Sequence, residues 1–478
     1  MKKTLSVISL VMINVIAIDS LRTLPMGAEY GFSLVFYYLL AAVTFFMPVA
    51  LVAAELATGW PETGGIYVWV REAFGKKIGF ITIWLQWFYN ICWYPTIMSF
   101  IAATLAYCID PNLINDKTYM LVVISVFFWA STLINFFGMG VSGMVSTVSA
   151  ILGTLVPMAF IILLGGVWMF IGKPLQVDFT WKSFFPSTGS INNLVLLTGM
   201  MYGLVGMEMS ASHAAEVKNP QSDYPKAALW SGIIILGTLI FASLAVALVV
   251  PASQLNIISG LLQAFDVFLQ SFHLGWFTPI LAILMVCGAL GSVNAWILGP
   301  SKGLLVASRD GCLPEILTKT NRKGVPVTVL LIQGGIFMAL CSVFLFMPTV
   351  SSSFWVLSAV TSILSLFVYI VMFAAALRLR YKYPKVKRAF IIPGGKPGLW
   401  ISCLLGLTSC ILTAIIGFFP PAQIPVGNTL TYELILFTGV LLGCLLPLGL
   451  YHLNLKFNKN QAVIKQNDHK VASRRNLA

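Results

Sequence analysis

Runs of about twenty apolar residues, separated by short polar segments, recur along the whole chain. A run of that length crosses the hydrocarbon core of a bilayer as one α-helix. Continuous runs, rather than alternating ones, exclude a membrane β-barrel. Of the 478 residues only 9% are charged, against about 25% in a soluble domain. The chain therefore reads as an all-α polytopic membrane protein with room for about twelve spans. They are expected near residues 5–27, 33–57, 80–107, 119–137, 145–171, 194–220, 227–250, 275–298, 327–347, 354–377, 399–419 and 431–454. The stretch 252–273 is too broken to span and is expected as one or two helices across the outer face.

Span 6 departs most from a simple apolar rod. Leu194 to Pro220 begins apolar, with Gly199, Gly203 and Gly206, and then meets Glu208, Ser210, Ser212, His213 and Glu216. A carboxylate at mid-helix costs about 2.5–3.5 kcal/mol to insert and is a functional-site hypothesis by default. Glycines ahead of it loosen the helix. A helix broken near the midplane frees amides and carbonyls, the arrangement by which many transporters bind a small polar solute. Asn219-Pro220 is expected to end the segment.

Span 1 is interrupted as well. Leu5–Ala17 is apolar, then Ile18-Asp19-Ser20-Leu21-Arg22 follows, then Pro25 and Gly27. Two readings are open. Asp19 and Arg22, three apart, pair on one helix face; or the chain unwinds near Ile18–Leu21 and presents its backbone, with Arg22 near a bound carboxylate or near Glu208. Glu208 has a plain alternative too, as a buried carboxylate bonded to span 1.

Elsewhere the structural reading is preferred. Glu55, near the inner end of span 2, reads as a packed carboxylate rather than a ligand. The segment Pro61 to Val70 reads as a tight turn with aromatics suited to the membrane interface. In span 3, Trp84, Gln86, Trp87, Asn90 and Trp93 either line a cavity or pack. Span 5 carries only small polar residues such as Ser146, Thr147 and Ser149.

The formal charge of +13 is a topology signal rather than a nucleic-acid footprint, because it is concentrated between spans. With the N-terminus inside, 25 of the 29 lysines and arginines fall on the inner side, and only Lys117, Lys173 and Lys182 lie outside. Both termini are thus expected in the cytoplasm. Span 1 reads as an uncleaved anchor. Spans 1 and 6, both interrupted, lie five apart, and an odd number of spans reverses orientation. Residues 1–171 and 193–377 are therefore expected as inverted repeats, with 399–455 adding two helices to a transmembrane domain of 1–455 and 456–478 a basic tail.

Enzyme chemistry finds no support. No P-loop appears, the four histidines are isolated, and no metal-ligand pair or nucleophile–base motif is present. No cofactor, metal or catalytic residue is expected. His213 reads as a helix-end residue, and the eight cysteines, without CxxC, as packing residues.

Several segments resemble the amino acid–polyamine–organocation superfamily. They are Pro61-Glu62-Thr63-Gly64-Gly65-Ile66-Tyr67-Val68-Trp69-Val70, then Gly203 to Glu208 with Glu216-Val217-Lys218-Asn219-Pro220 and Tyr224-Pro225-Lys226-Ala227. Ile297 to Gly303, Arg309 to Pro314 and Gly324 to Val327 complete the set. Gly31-Phe32-Ser33-Leu34-Val35-Phe36-Tyr37 and Phe390 to Lys396 most resemble bacterial glutamate/GABA antiporters. The resemblance implies a LeuT-like fold with 5+5 inverted repeats, a location in the cell (inner) membrane, and exchange of amino acids by alternating access. It places substrate at the breaks: Ile18, Asp19 and Ser20 by their backbone, Tyr202, Gly203, Gly206 and Glu208 as contacts and gate, and Trp296 as the aromatic beneath the substrate. A proton-coupled permease and a non-transporting amino-acid sensor on the same fold stay as alternatives. The chain departs from the superfamily in span 1, where Asp19 and Arg22 replace a glycine-rich break. Thr147 stands about where some proton-coupled members carry lysine, which favours exchange. The basic tail reads as a solvated, lipid-attracted segment rather than the folded plug of the acid-resistance antiporters.

Overall fold

A computed structural model describes residues 6–62, 64–137, 148–149, 151–186, 191–209 and 217–475, except the side chains of residues 220, 221, 298 and 456–475. Among the described residues, ten helices are long and apolar enough to cross a bilayer. Span 1 adds the bent pair Val7–Ile18 and Leu21–Ala28, at 42° to one another. Span 6 begins as a short helix, Leu196–Tyr202, and continues into residues 210–216, which lie outside the description together with Ser210, Ser212, His213, Glu216 and, in span 5, Ser146 and Thr147.

Span 3, Lys76–Ile109, is the most enclosed crossing. It packs on span 8 (Thr278–Arg309) and span 10 (Val350–Lys382), and also on span 4 (Lys117–Phe136), span 9 (Val327–Cys341) and span 12 (Thr429–Arg475). The packing falls into matched sets: span 3 meets spans 9 and 10 as span 8 meets spans 4 and 5. Where spans 5 and 8 cross, a Cβ on Gly153 would stand 2.2 Å from the Gly288 amide, so only glycine permits that backbone approach. Span 7 (Pro220–Val249) packs along both halves of span 1.

Three expectations about boundaries are corrected. Span 8 does not end at 298 but runs through Pro300 to Arg309. Proline removes the donor that would bond the Trp296 carbonyl, and the Tyr94 hydroxyl of span 3 donates to that carbonyl instead, at 3.1 Å. A packed partner thus satisfies the freed group, as proline in a membrane helix requires. The segment after span 2 turns at Gly64-Gly65, as expected, but does not stay a turn through Val70. It forms a helix, Ile66–Phe74, whose Tyr67 and Trp69 are buried. Span 7 does not begin at 227 but at Pro220, which stands in the first turn, where its missing N–H costs nothing.

The stretch 252–273 holds a 3-10 helix, Ala252–Gln254, and an α-helix, Gly260–Ser271, the latter seated on the second half of span 1, where Gly260 faces Pro25. The helix of span 12 continues into the basic tail as far as Arg475. Glu55 is the packed carboxylate the sequence suggests. It takes Arg380 at 2.7 Å, Arg388 at 3.4 Å and the Ile392 amide at 3.0 Å, tying span 2 to span 10 and the segment before span 11.

Candidate functional site

The first half of span 1 ends at Ile18. Asp19 (φ −61°, ψ 121°) and Ser20 (φ −140°, ψ 120°) are extended, and a 3-10 turn, Leu21–Thr23, restarts the helix. The Thr23 hydroxyl donates to the Ser20 carbonyl at 2.9 Å and fixes the turn. A helix that stops leaves its last carbonyls without helical partners, and here they lie inside the protein.

Span 6 stops against this break. After Tyr202 the chain turns through Gly203 to Met209, with Gly206 at φ +135°, a conformation that a side chain would strain. The glycines set the approach of the two segments. A Cβ on Gly199 would meet Met26 Sδ at 2.5 Å, one on Gly203 would meet Thr23 Oγ1 at 3.4 Å, and one on Gly206 would meet Ile18 Cγ1 at 3.0 Å. Rising numbers in span 6 meet falling numbers in span 1, so the two broken segments run antiparallel in contact.

Asp19 and Arg22 do not pair. The extended residues at the break turn them apart. The Thr238 hydroxyl of span 7 lies 3.2 Å from both Asp19 oxygens. Arg22 is 2% exposed; its Nη1 donates to Ser358 of span 10 at 3.4 Å, the long limit of a hydrogen bond. Its guanidinium stands 5.9 Å from the Tyr202 ring centre and 5.6 Å from that of Phe354, and its Nε has no partner. Among the described residues no carboxylate lies within ion-pair distance of Arg22. A buried cation stacked between two rings and left without a counter-charge is a place for an anion.

Glu208 is buried too, and its partner is not span 1 or Arg22. The Tyr369 hydroxyl of span 10 donates to its Oε2 at 2.5 Å and accepts the Gly206 amide at 3.2 Å. One phenol thereby holds the turn and the carboxylate together. Trp296 of span 8 is buried 6.2 Å from Trp93. One turn further on, Gly299 faces Met209, where a Cβ would meet Cε at 3.2 Å, so span 8 reaches the break of span 6 beside Trp296. Trp84, Gln86, Trp87 and Asn90 of span 3 are buried, and Asn90 bonds the Gln86 carbonyl within its own helix.

Of the residues that sequence reasoning marks, the structure gathers Ile18, Ser20, Arg22, Tyr202, Gly203, Gly206 and Glu208 around the paired breaks; the Asp19 side chain turns to span 7. Ser20 and Tyr202, one from each break, keep partial exposure. A void of about 10 Å³, room for about one water, lies below the break, lined in part by Asn14, Ala53, Met207 and Tyr224. Sequence reasoning missed Ser358, Phe354, Tyr369 and Thr238. For Ser358, Tyr369 and Thr238 the available signal was a polar side chain inside an apolar run; Phe354 carried none.

Two broken helices in antiparallel contact within a bundle of spans define a multi-pass membrane transporter. The chain matches the amino acid permease family over residues 3–441 and belongs to it. It is 52% identical to an uncharacterized transporter of Legionella pneumophila, over 93% of this chain and 96% of that one. It is 31% identical to a glutamate/gamma-aminobutyrate antiporter of Lactococcus lactis, over 90% of this chain and 87% of the relative. A probable agmatine/putrescine antiporter of Lactococcus lactis is 24% identical, over 81% and 83%. The protein is a transporter and not an enzyme, and its family takes amino acids.

Proposed function

We propose that this protein exchanges one carboxylate-bearing amino acid for another across the membrane, by alternating access around the paired breaks. The observation that carries the reading is Arg22, a cation buried between Tyr202 and Phe354 with no carboxylate partner among the described residues. Glutamate and γ-aminobutyrate, the cargoes in the names of the relatives at 31% identity, both carry a carboxylate. Agmatine and putrescine, named for the relative at 24%, carry none, and a buried guanidinium repels such cations. The site chemistry therefore favours the first pair.

In this reading the substrate carboxylate lies on Arg22 beside Ser358, and the backbone amides at the Ser20 break add donors. The carbonyl end of Val7–Ile18, at the negative pole of its helix, faces the ammonium, with Glu208 adding negative charge. Gly203 and Gly206 let the substrate approach the backbone, and Trp296 supplies an apolar floor. Residues 1–171 and 193–377 act as inverted repeats, a division supported by the matched packing of spans 3 and 8, with 399–455 appended. The distribution of lysine and arginine puts both termini in the cytoplasm of a cell whose inner membrane holds the carrier.

The test is counterflow in proteoliposomes preloaded with one amino acid at a time, from pH 5 to 8. Uptake of labelled glutamate driven by internal glutamate or γ-aminobutyrate is expected. Binding without flux would make the protein a sensor, and flux driven by a pH gradient with no internal amino acid would make it a proton-coupled permease.

A further inference from the structure

Arg22 bears on how coupling arises as well as on what binds. In the described conformation its residue surface is 2% exposed. Among the described residues its side chain meets two aromatic faces and one weakly bonded hydroxyl. The carboxylates closest along the chain and across the break are both engaged elsewhere, Asp19 with Thr238 and Glu208 with Tyr369. Arginine cannot shed its proton, so the charge stays whatever the pH.

A carrier that alternates must pass through a conformation in which the break is closed to both sides. When one side is open, water can solvate the guanidinium. When both are closed, an unpaired guanidinium has lost that water, and removing the partner of a buried charge is among the most costly changes a protein interior can undergo. A substrate carboxylate removes this penalty by travelling with the cation as a pair.

We propose that Arg22 makes exchange obligatory: the loaded carrier closes readily, and the empty one is held open by the desolvation of its unpaired guanidinium. The coupling residue is thus the binding residue, and no separate latch is needed. This rests on the reading of Arg22 as the carboxylate site, and it goes beyond it by assigning the antiport stoichiometry to one charge.

The experiment compares two fluxes from proteoliposomes loaded with labelled glutamate far above its affinity: exchange against external glutamate, and net efflux into amino-acid-free buffer. For the unmodified protein, net efflux should be slower than exchange by about a hundredfold to a few thousandfold, the ratio expected for stripping the partner from a buried charge. Arg22→Met and Arg22→Gln keep a side chain of similar length against Tyr202 and Phe354 but remove the charge. Both should bind more weakly, and their net efflux should rise to within about tenfold of exchange. Arg22→Lys keeps the charge and should keep the large ratio while slowing exchange.

Thermal unfolding in detergent identifies which variants are folded. A folded neutral variant whose efflux still requires external substrate overturns the proposal. So does one with no flux at saturating load, because a neutral pocket should close empty and carry weakly bound substrate one way. Failure of the unmodified protein to exchange any amino acid would instead overturn the transport reading itself.

Discussion

Removing the Tyr369 hydroxyl is the most direct perturbation of the site that leaves its charges in place. The phenol donates to Glu208 at 2.5 Å and accepts from the Gly206 amide at 3.2 Å, while its ring packs edge-on to Phe45 at 5.3 Å. Tyr369→Phe keeps the ring and strips both bonds. A hydrogen bond to a charged group contributes about 1.5–3 kcal/mol, and a stranded buried amide costs about 1–3 kcal/mol. The loss should therefore lie between roughly 2.5 and 6 kcal/mol, the lower end if the turn relaxes. Glu208→Gln should cost less, because a side-chain amide still accepts from the phenol. The assay is a double-mutant cycle on unfolding in mixed micelles, run beside exchange kinetics. The double variant should be less destabilised than the sum of the two singles by about 1 kcal/mol, the excess of a hydrogen bond to a charged carboxylate over one to a neutral amide, and exchange should fall in each. Additivity to within about 0.5 kcal/mol would show that the phenol and the carboxylate do not act together, and the account of the span 6 turn would fail.

Other expectations follow from the same geometry. Gly206→Ala places a Cβ 3.0 Å from Ile18 at φ +135°; strain and crowding of roughly 2–4 kcal/mol should lower the unfolding temperature and slow exchange, and an unchanged melting curve would argue against the contact between the breaks. Trp296→Ala opens a cavity beside Trp93 worth about 3–5 kcal/mol and should cut exchange; undiminished flux would remove Trp296 from the site. On the cytoplasmic side in our reading, Asp310 accepts from Tyr67 at 2.6 Å and Arg71 at 3.0 Å. Burial alone would raise its carboxyl, but the Tyr67 hydroxyl and the Arg71 guanidinium outweigh it and hold it below the usual range. A lowered carboxyl stabilises the fold above its ordinary range and loses that contribution as pH falls through the lowered value. Asp310→Asn should therefore melt earlier than the unmodified protein at pH 7, with the gap closing in strong acid; a gap independent of pH would rule out the charged bond.

The placement of chemistry was readable where it disturbed a pattern. Asp19, Arg22 and Glu208 stand out because charge is costly inside an apolar run, and the glycines ahead of Glu208 mark where a helix gives way. Partners on other spans left no such mark. Ser358, Phe354 and Tyr369 are ordinary in span 10 taken alone, since a serine in a membrane helix bonds its own backbone as readily as a neighbour and aromatic rings there commonly pack. Local rules also misjudged Pro300. Read along the chain it ends span 8, yet Tyr94, some two hundred residues away in sequence, supplies the missing bond.

The sequence by itself determined that this chain lives in a bilayer as helices and that spans 1 and 6 cannot be plain rods, because the cost of burying charge is a property of each segment alone. Only the tertiary structure decided which charges meet. Three residues of spacing would set Asp19 and Arg22 side by side on a continuous helix. Two extended residues send one to span 7 and leave the other between aromatic rings with no carboxylate partner among the described residues, where the glycines of span 6 let the second broken segment come close.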